Sequence, residues 1–343
     1  MESHPFLRSL ARTAATPLPL PLLTTLSQQK VILPFYHAIS DQPPPHLRHV
    51  LQTRNTRIFR QDLEWLLRHF EPVEVATLEA LAAGAPAPRK PLFHLSFDDG
   101  LKEVATVIAP LLREMGIPAT FFVNTRFIGN RDLFYRFGVS LLLSILEVRA
   151  AGEKSLREAS EILTSGGIKA PTLREQLLAI DYSHRELLQQ VAPRLGVDFG
   201  DYLRHQEVYL NEEEIRALIH QGFTVGAHGL DHPLFRQLSH EEQLRQALES
   251  TRWLEEQMGV APLLFSFPFS DEEVPASFFH QVHPPTGKIS LTFGISGLKK
   301  EAFPRHLHRI PMERGDLPAR AILREEYLYF LMKAPFGKNK INR

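Results

Sequence analysis

Two adjacent carboxylates close an apolar, β-favouring run, Phe93-His94-Leu95-Ser96-Phe97-Asp98-Asp99-Gly100. A strand sends successive side chains to opposite faces, so neighbouring acids do not suit a sheet interior, but the carboxyl end of a strand can aim both into a cleft. Like charges this close raise one pKa unless a cation or strong donor intervenes, so Asp98 and Asp99 are expected to hold different jobs, such as base and metal ligand. Taken alone, Asp-Asp-Gly is equally a solvated turn closing a hairpin. A second stretch, Gly226-Ala227-His228-Gly229-Leu230-Asp231-His232-Pro233, follows the strand-like Phe223-Thr224-Val225. Two imidazoles at this spacing plus one carboxylate make the set of an open catalytic metal site, and Asp99 can complete His228 and His232. A helical zincin would carry its basic Glu directly after the first His. Here that position is Gly229 and Pro233 closes the segment, so the base comes from elsewhere, with Asp98 the obvious candidate. For the pair alone, two unrelated surface histidines among 16 is the plainer reading, and the coexistence of both stretches argues against it.

On these residues the chain resembles the polysaccharide deacetylase family of carbohydrate esterases. Ser96-Phe97-Asp98-Asp99-Gly100 is similar to the family's Thr/Ser-Phe-Asp-Asp-Gly motif, and His228 to His232 to its His-x-x-x-His motif. Phe265-Ser266-Phe267-Pro268-Phe269-Ser270 is similar to its third motif, around Pro-Tyr/Phe. Tyr36-His37 and Gly116-Ile117-Pro118-Ala119-Thr120-Phe121-Phe122-Val123 fit as flanking segments, so the likeness spans residues 31–130 and 211–312. It implies a distorted, incomplete (β/α) barrel, a divalent metal ion, and an N-acetylated glycan or glycolipid as substrate, with a backbone N–H near Phe269 as oxyanion donor. Zinc is the foremost ion, although the same N/O set suits cobalt, nickel or iron.

Two parts of the family pattern are displaced. Ser266 stands where an arginine would tether the base, and Arg309, in Leu307-His308-Arg309, stands where a histidine would protonate the leaving amine. The expectation is that Arg309 takes over the tether and that His37, at the end of the first strand, takes over the acid. The plainer alternatives are that Arg309 pairs with Glu313 and that His37 caps its own loop. His94 reads as a barrel-wall histidine and Asp231 as closing the turn between the two metal histidines. A non-catalytic sugar-binding relative is the competing function; Asp98 kept beside all three ligands favours a hydrolase of carbon–nitrogen bonds.

The elements that must position these residues alternate. Strands are expected at 31–36, 91–97, 119–123, 223–227, 263–267, 289–293 and 307–311, with helices at 59–70, 101–115, 211–219, 239–258, 275–282 and 318–331. Asn211 with Glu214, and Ser239 with Glu242, are capping signals. Strands followed by helices mean a parallel sheet with covered faces. The rhythm fails between residues 130 and 210, where helical stripes and Gly166-Gly167 predict a helical insertion splitting the barrel into 31–129 and 211–332.

The chain has 343 residues and equal numbers of basic and acidic side chains, 39 each, so no field of one sign recommends a nucleic acid. It has no cysteine, so any metal must sit on His, Asp or Glu. In the leader, residues 1–30, Arg8 and Arg12 precede Pro17-Leu18-Pro19-Leu20-Pro21-Leu22-Leu23, whose alternating prolines are expected to break a helix. With neither a signal peptide nor an 18-residue apolar run apparent, a cytoplasmic protein is expected. The leader and the basic tail 333–343, where Lys333, Lys338, Lys340 and Arg343 face no acids, are candidates for weak contact with an anionic membrane surface. A solvated tail is the simpler expectation.

Overall fold

Short runs with period-two alternation build the sheet of the computed structural model, which describes residues 8, 11, 14, 18–148 and 152–343. Arg12 and Pro17 of the expected leader, and residues 149–151 of the expected insertion, lie outside the described residues. The strands are β1 Val31–Ile32, β2 Pro34–Tyr36, β3 Glu71–Pro72, β4 Leu92–Phe93, β5 Leu95–Phe97, β6 Ala119–Val123, β7 Thr224–Ala227, β8 Leu264–Ser266, β9 Leu291–Gly294, β10 His306–His308 and β11 Ile310–Pro311. Eight of them form one parallel sheet in the order β10-β9-β8-β7-β6-β5-β2-β11. Its two ends, β10 and β11, are consecutive in the chain and separated by Arg309 alone. One late strand therefore pairs β9 with its first half and β2 with its second, and the sheet closes into a distorted (β/α) barrel.

The expected strands at 31–36 and 91–97 are each split, at Leu33 and His94. Their first halves, β1 and β4, leave the barrel and join β3 in a three-stranded parallel sheet. His94 stabilises the break: its Nδ1 faces Val73 O at 2.7 Å and its Nε2 faces Thr120 Oγ1 at 2.8 Å.

Alternation sorts the side chains into an outer and an inner layer. Phe97, Phe121 and Phe265 point outward into a core shared with Leu63, Leu66, Leu254 and Leu323 of the covering helices. Leu33, Phe122, Leu264, Leu291 and Phe293 form the inner plug. By the same rule Ser96, Ser266 and Arg309 point inward, above that plug. Inward positions on strand ends are where a barrel keeps its chemistry.

Between β6 and β7 the described chain runs through helices Tyr135–Val148, Glu153–Ser165, Leu173–Leu178, Leu187–Arg194 and Phe199–His205. They bury their own core, including Phe137, Leu142, Leu163, Leu177, Val191 and Phe199. A single antiparallel bridge, Leu101 to Tyr209, joins the return of this region to the loop after Asp98-Asp99. Asn211 and Glu214 form a reciprocal capping box, but only half of one forms at Ser239, whose hydroxyl accepts from Glu242 N while the Glu242 carboxylate turns to Arg245. The expected helix at 101–115 forms, its first part as a π-helical turn, Val104–Ile108, running into an α-helix, Ala109–Met115.

The prolines of the leader do not prevent a helix. Leu20–Ser27 is helical, with Pro19 at its N-cap and Pro21 in its first turn, where no intrahelical N–H is required. Leu20 and Leu23 are buried in the outer core, and Arg8 pairs with Glu326 at 2.9 Å. The tail is likewise folded back: Arg343, expected to face no acids, is buried against Asp271 and Glu301. No described helix is long and apolar enough to cross a membrane.

Candidate active site and metal centre

β5 points Ser96 inward, and the same alternation carries Asp98 inward one step beyond the strand. There Arg309 meets it with a two-pronged clamp, Nη1 to Oδ1 at 2.7 Å and Nη2 to Oδ2 at 2.8 Å. The guanidinium is fully buried. The second N–H of each Nη reaches Ser96 Oγ and Ser266 Oγ respectively, while Nε is buried without a hydrogen bond, and the guanidinium lies 4.3 Å from the centre of the Phe35 ring. Serine at position 266 offers a small acceptor beside a guanidinium arriving from the late strand two places along the sheet. Glu313 is not the partner of Arg309. Burial pushes the Asp98 carboxyl up, but Arg309 and then His228 outweigh it and hold it below its ordinary value.

Asp99 turns away from its neighbour because its backbone is left-handed, at φ 72°, a strained conformation for a non-glycine residue. Gly100 continues that turn at φ 63°, and a Cβ there would stand 2.9 Å from Val123 Cγ1. Asp99 Oδ1 is buried with no hydrogen bond of ordinary geometry. It faces His232 Nε2 at 3.2 Å and His228 Nε2 at 3.6 Å. His228 Nδ1 lies 2.9 Å from Ser266 O, a carbonyl that can only accept, so this nitrogen carries the proton and Nε2 presents a lone pair. Burial lowers the His228 pKa to about 4, with Asp98 pulling the other way, so the ring is neutral at physiological pH.

These residues fit a metal ion. Ligands about 2.1 Å from a tetrahedral centre lie roughly 3.4 Å from one another, and the two contacts of Asp99 Oδ1 straddle that spacing. An orphaned buried carboxylate oxygen facing two imidazole nitrogens is what such a site looks like before the ion is counted. His232, like Asp99, has a left-handed backbone, at φ 61°. Its ring is walled by Phe134 and Phe269, centroids 4.4 and 4.6 Å away.

His37 reaches the same end of the barrel from β2. Rather than capping its own loop, it is held by Glu313, whose one oxygen accepts from the backbone N–H groups of His37 and Ala38 and whose other lies 2.5 Å from His37 Nδ1. Burial alone would lower this imidazole, but Glu313, and beyond it Asp99 and Asp98, carry it up to about 9. The side chain remains about a quarter exposed. Asp231 does not close the turn between the histidines: it accepts from Arg126 at 2.8 Å, Tyr182 at 2.9 Å and Gln246 at 2.8 Å, tying that turn to the helical region. A cavity of about 510 Å³ opens behind this turn, lined by Asp231, Arg126 and Arg245 but by none of the candidate ligands.

The sequence offers Glu313 only as a partner for Arg309, not for His37, and gives no role to Ser96 or to the Ser266 hydroxyl. The available signal was register: Glu313 follows Arg309 by four residues, and Ser96 precedes Asp98 by two.

A family model described as polysaccharide deacetylase matches residues 85–277. The chain belongs to the polysaccharide deacetylase family. It is thereby a hydrolase of amide carbon–nitrogen bonds. Asp98, Asp99, His228 and His232 fall within the matched residues of this deacetylase, whereas His37, Arg309 and Glu313 lie outside them. No curated protein matches the chain. Among solved structures, the deacetylase fold is shared with IcaB from Ammonifex degensii (16% identity, 87% of this chain and 97% of that one, TM-score 0.53). It is shared also with the deacetylase PplD of Streptococcus pyogenes (14% identity, 82% and 92%, TM-score 0.52).

Proposed function

We propose that this deacetylase removes the N-acetyl group from an amino sugar of a polysaccharide or glycolipid, with a divalent ion, zinc foremost, held by Asp99, His228 and His232. The observation that carries the reading is the pairing of opposites at one strand end, an Asp98 gripped by Arg309 next to an Asp99 with an unsatisfied oxygen. The bound ion would acidify a water and polarise the amide carbonyl.

Asp98 is the base. Arg309 fixes both of its oxygens and keeps it ionised, at the cost of basicity, so it can take a proton only from a water made more acidic than usual. His37 is the acid. Glu313 keeps it protonated at neutral pH and fixes its ring at Nδ1, leaving Nε2–H to deliver the proton to the departing amine. The turn at Pro268-Phe269, with Phe269 at φ 56°, would aim a backbone N–H at the tetrahedral oxyanion. Phe134 and Phe269 give an apolar wall against which a sugar or its methyl group can pack. The neighbour PplD was solved in complex with acetate, the product expected here.

The test is acetate release from N-acetylglucosamine oligomers by metal-loaded protein, with the chelated protein as control. Metal-dependent release supports the reading. A metal-loaded protein that binds a broad panel of N-acetylated glycans and releases no acetate would move it to the sugar-binding alternative.

A further inference from the structure

Among the described residues a second group could hold an ion: Asp271, His306 and His308, all buried. It lies on the other side of the barrel wall. β10 points Leu307 to the inner plug, so His306 and His308 point outward, towards Phe279 and the folded-back tail. Nothing in the deacetylase chemistry uses these groups.

The hydrogen-bond directions around the two imidazoles can be worked out from fixed donors and acceptors. His283 Nδ1 lies 2.9 Å from Ile289 O, so it bears the proton, and the neutral ring's Nε2 is an acceptor. Thr292 Oγ1 contacts that Nε2 at 3.2 Å and His306 Nδ1 at 2.8 Å. With one hydroxyl proton, a single arrangement using neutral rings satisfies both contacts: Thr292 donates to His283 and accepts from His306 Nδ1–H. His306 Nε2 is then a bare lone pair, and it lies 3.2 Å from Asp271 Oδ2. Two acceptors facing each other at that distance require a cation against them, and the spacing is that of two ligands on one ion.

His308 follows the same logic. Its Nδ1 takes the backbone N–H of Ser296 at 3.3 Å, so its Nε2–H donates to Glu301 at 3.2 Å. His306 thus has one nitrogen oriented by a neighbour and the other presented to Asp271, the arrangement by which proteins hold metal-binding histidines, whereas an ion on His308 Nδ1 displaces its long contact with Ser296 N–H. Gly294 makes the approach possible: a Cβ there would lie 2.4 Å from Asp271 Oδ1 and 2.7 Å from His308 Nδ1. Arg343 supplies the present positive charge, pairing with Asp271 Oδ2 and, at 2.9 Å, with Glu301.

We propose that Asp271, His306 Nε2 and His308 Nδ1 form a second divalent transition-metal site, outside the barrel, in which the ion and the Arg343 guanidinium compete for Asp271. Binding an ion releases the Arg343 side chain from Asp271. Two N donors and one or two carboxylate oxygens suit zinc or cobalt rather than magnesium or calcium.

The experiment is a cobalt(II) titration of the chelator-stripped full chain, followed by visible absorption and by elemental analysis after dialysis. Two ions per wild-type chain are expected, one remaining in His228→Ala and a different one in His306→Gln. In Arg343→Gln the second ion should bind on the order of 10-fold more tightly, because a charged competitor for one carboxylate is gone. Arg343→Gln removes no proposed ligand, so it also guards against a His306 variant that fails to fold. A wild-type stoichiometry of one that drops to zero in His228→Ala would overturn the site, and so would a second ion whose affinity is the same in Arg343→Gln.

Discussion

Two clusters with the same donors, two histidines and an aspartate, lie on opposite sides of one barrel wall, and the late strand 306–311 serves both. Its inward residue, Arg309, grips Asp98 and leaves Asp99 Oδ1 without a hydrogen bond; its outward residues, His306 and His308, meet an aspartate already paired with Arg343. The inner cluster opens at the strand ends beside His37, whose side chain is about a quarter exposed. The outer one is closed under the tail. The difference teaches that donor type alone does not make a reactive centre. What distinguishes the inner cluster is that the arginine sits on Asp98 rather than on Asp99, so the Asp99 oxygen stays available.

The sharpest way to break that contrast is Arg309→Met. It strips the cation from a fully buried Asp98, and removing one partner of a buried pair costs about 3–5 kcal/mol, which urea denaturation would show. Asp98 is held below its ordinary value by Arg309, so its loss lets burial raise it, and the acid limb of the pH–rate profile should move to higher pH. An unchanged limb would mean that Asp98 is not the base.

His37→Gln should lower turnover by roughly 10²–10³-fold with little loss of metal. In the wild type the acid must carry its proton, so activity should fall as pH rises through the His37 value. That value is about 9 without an ion, and a bound cation can only bring it down. The sign for stability is the same: a group raised from 6.5 to about 9 on folding contributes fully below pH 6.5, and the contribution is lost by pH 9. A basic limb above pH 9, or one retained in His37→Gln, would assign the acid elsewhere.

The smallest effect belongs to the outer cluster. Arg343→Gln should cost the metal-free protein on the order of 1 kcal/mol, because it removes one charged partner of carboxylates that keep their histidine contacts. Added zinc should restore the loss by supplying the missing charge, whereas thermal unfolding that ignores zinc in both proteins would contradict the comparison.

Much of the inner cluster was legible because its parts sit at the ends of short apolar runs. Asp98 and Asp99 announce a strand end by being adjacent, and His228 and His232 by their spacing. What local pattern does not show is which of two alternating faces points inward, since a continuous apolar strand buries both. For that reason His306 and His308 could not be told from wall residues, and the split of β4 from β5 at His94 was missed. Glu313 and Arg343 find His37 and Asp271 across 276 and 72 residues, contacts that no local window contains. The leader's prolines misled for a local reason: they fall at the N-cap and in the first turn, where proline is tolerated.

The central claim is that the neighbours Asp98 and Asp99 divide base and ligand between them. The measurement is metal occupancy and acetate release, side by side, for Asp98→Asn and Asp99→Asn. The account predicts that Asp98→Asn keeps its inner ion while turnover falls roughly 10²–10⁴-fold, and that Asp99→Asn loses the ion, because a ligand carboxylate supplies charge as well as a lone pair. Full turnover in Asp98→Asn, or undiminished metal in Asp99→Asn, would contradict it.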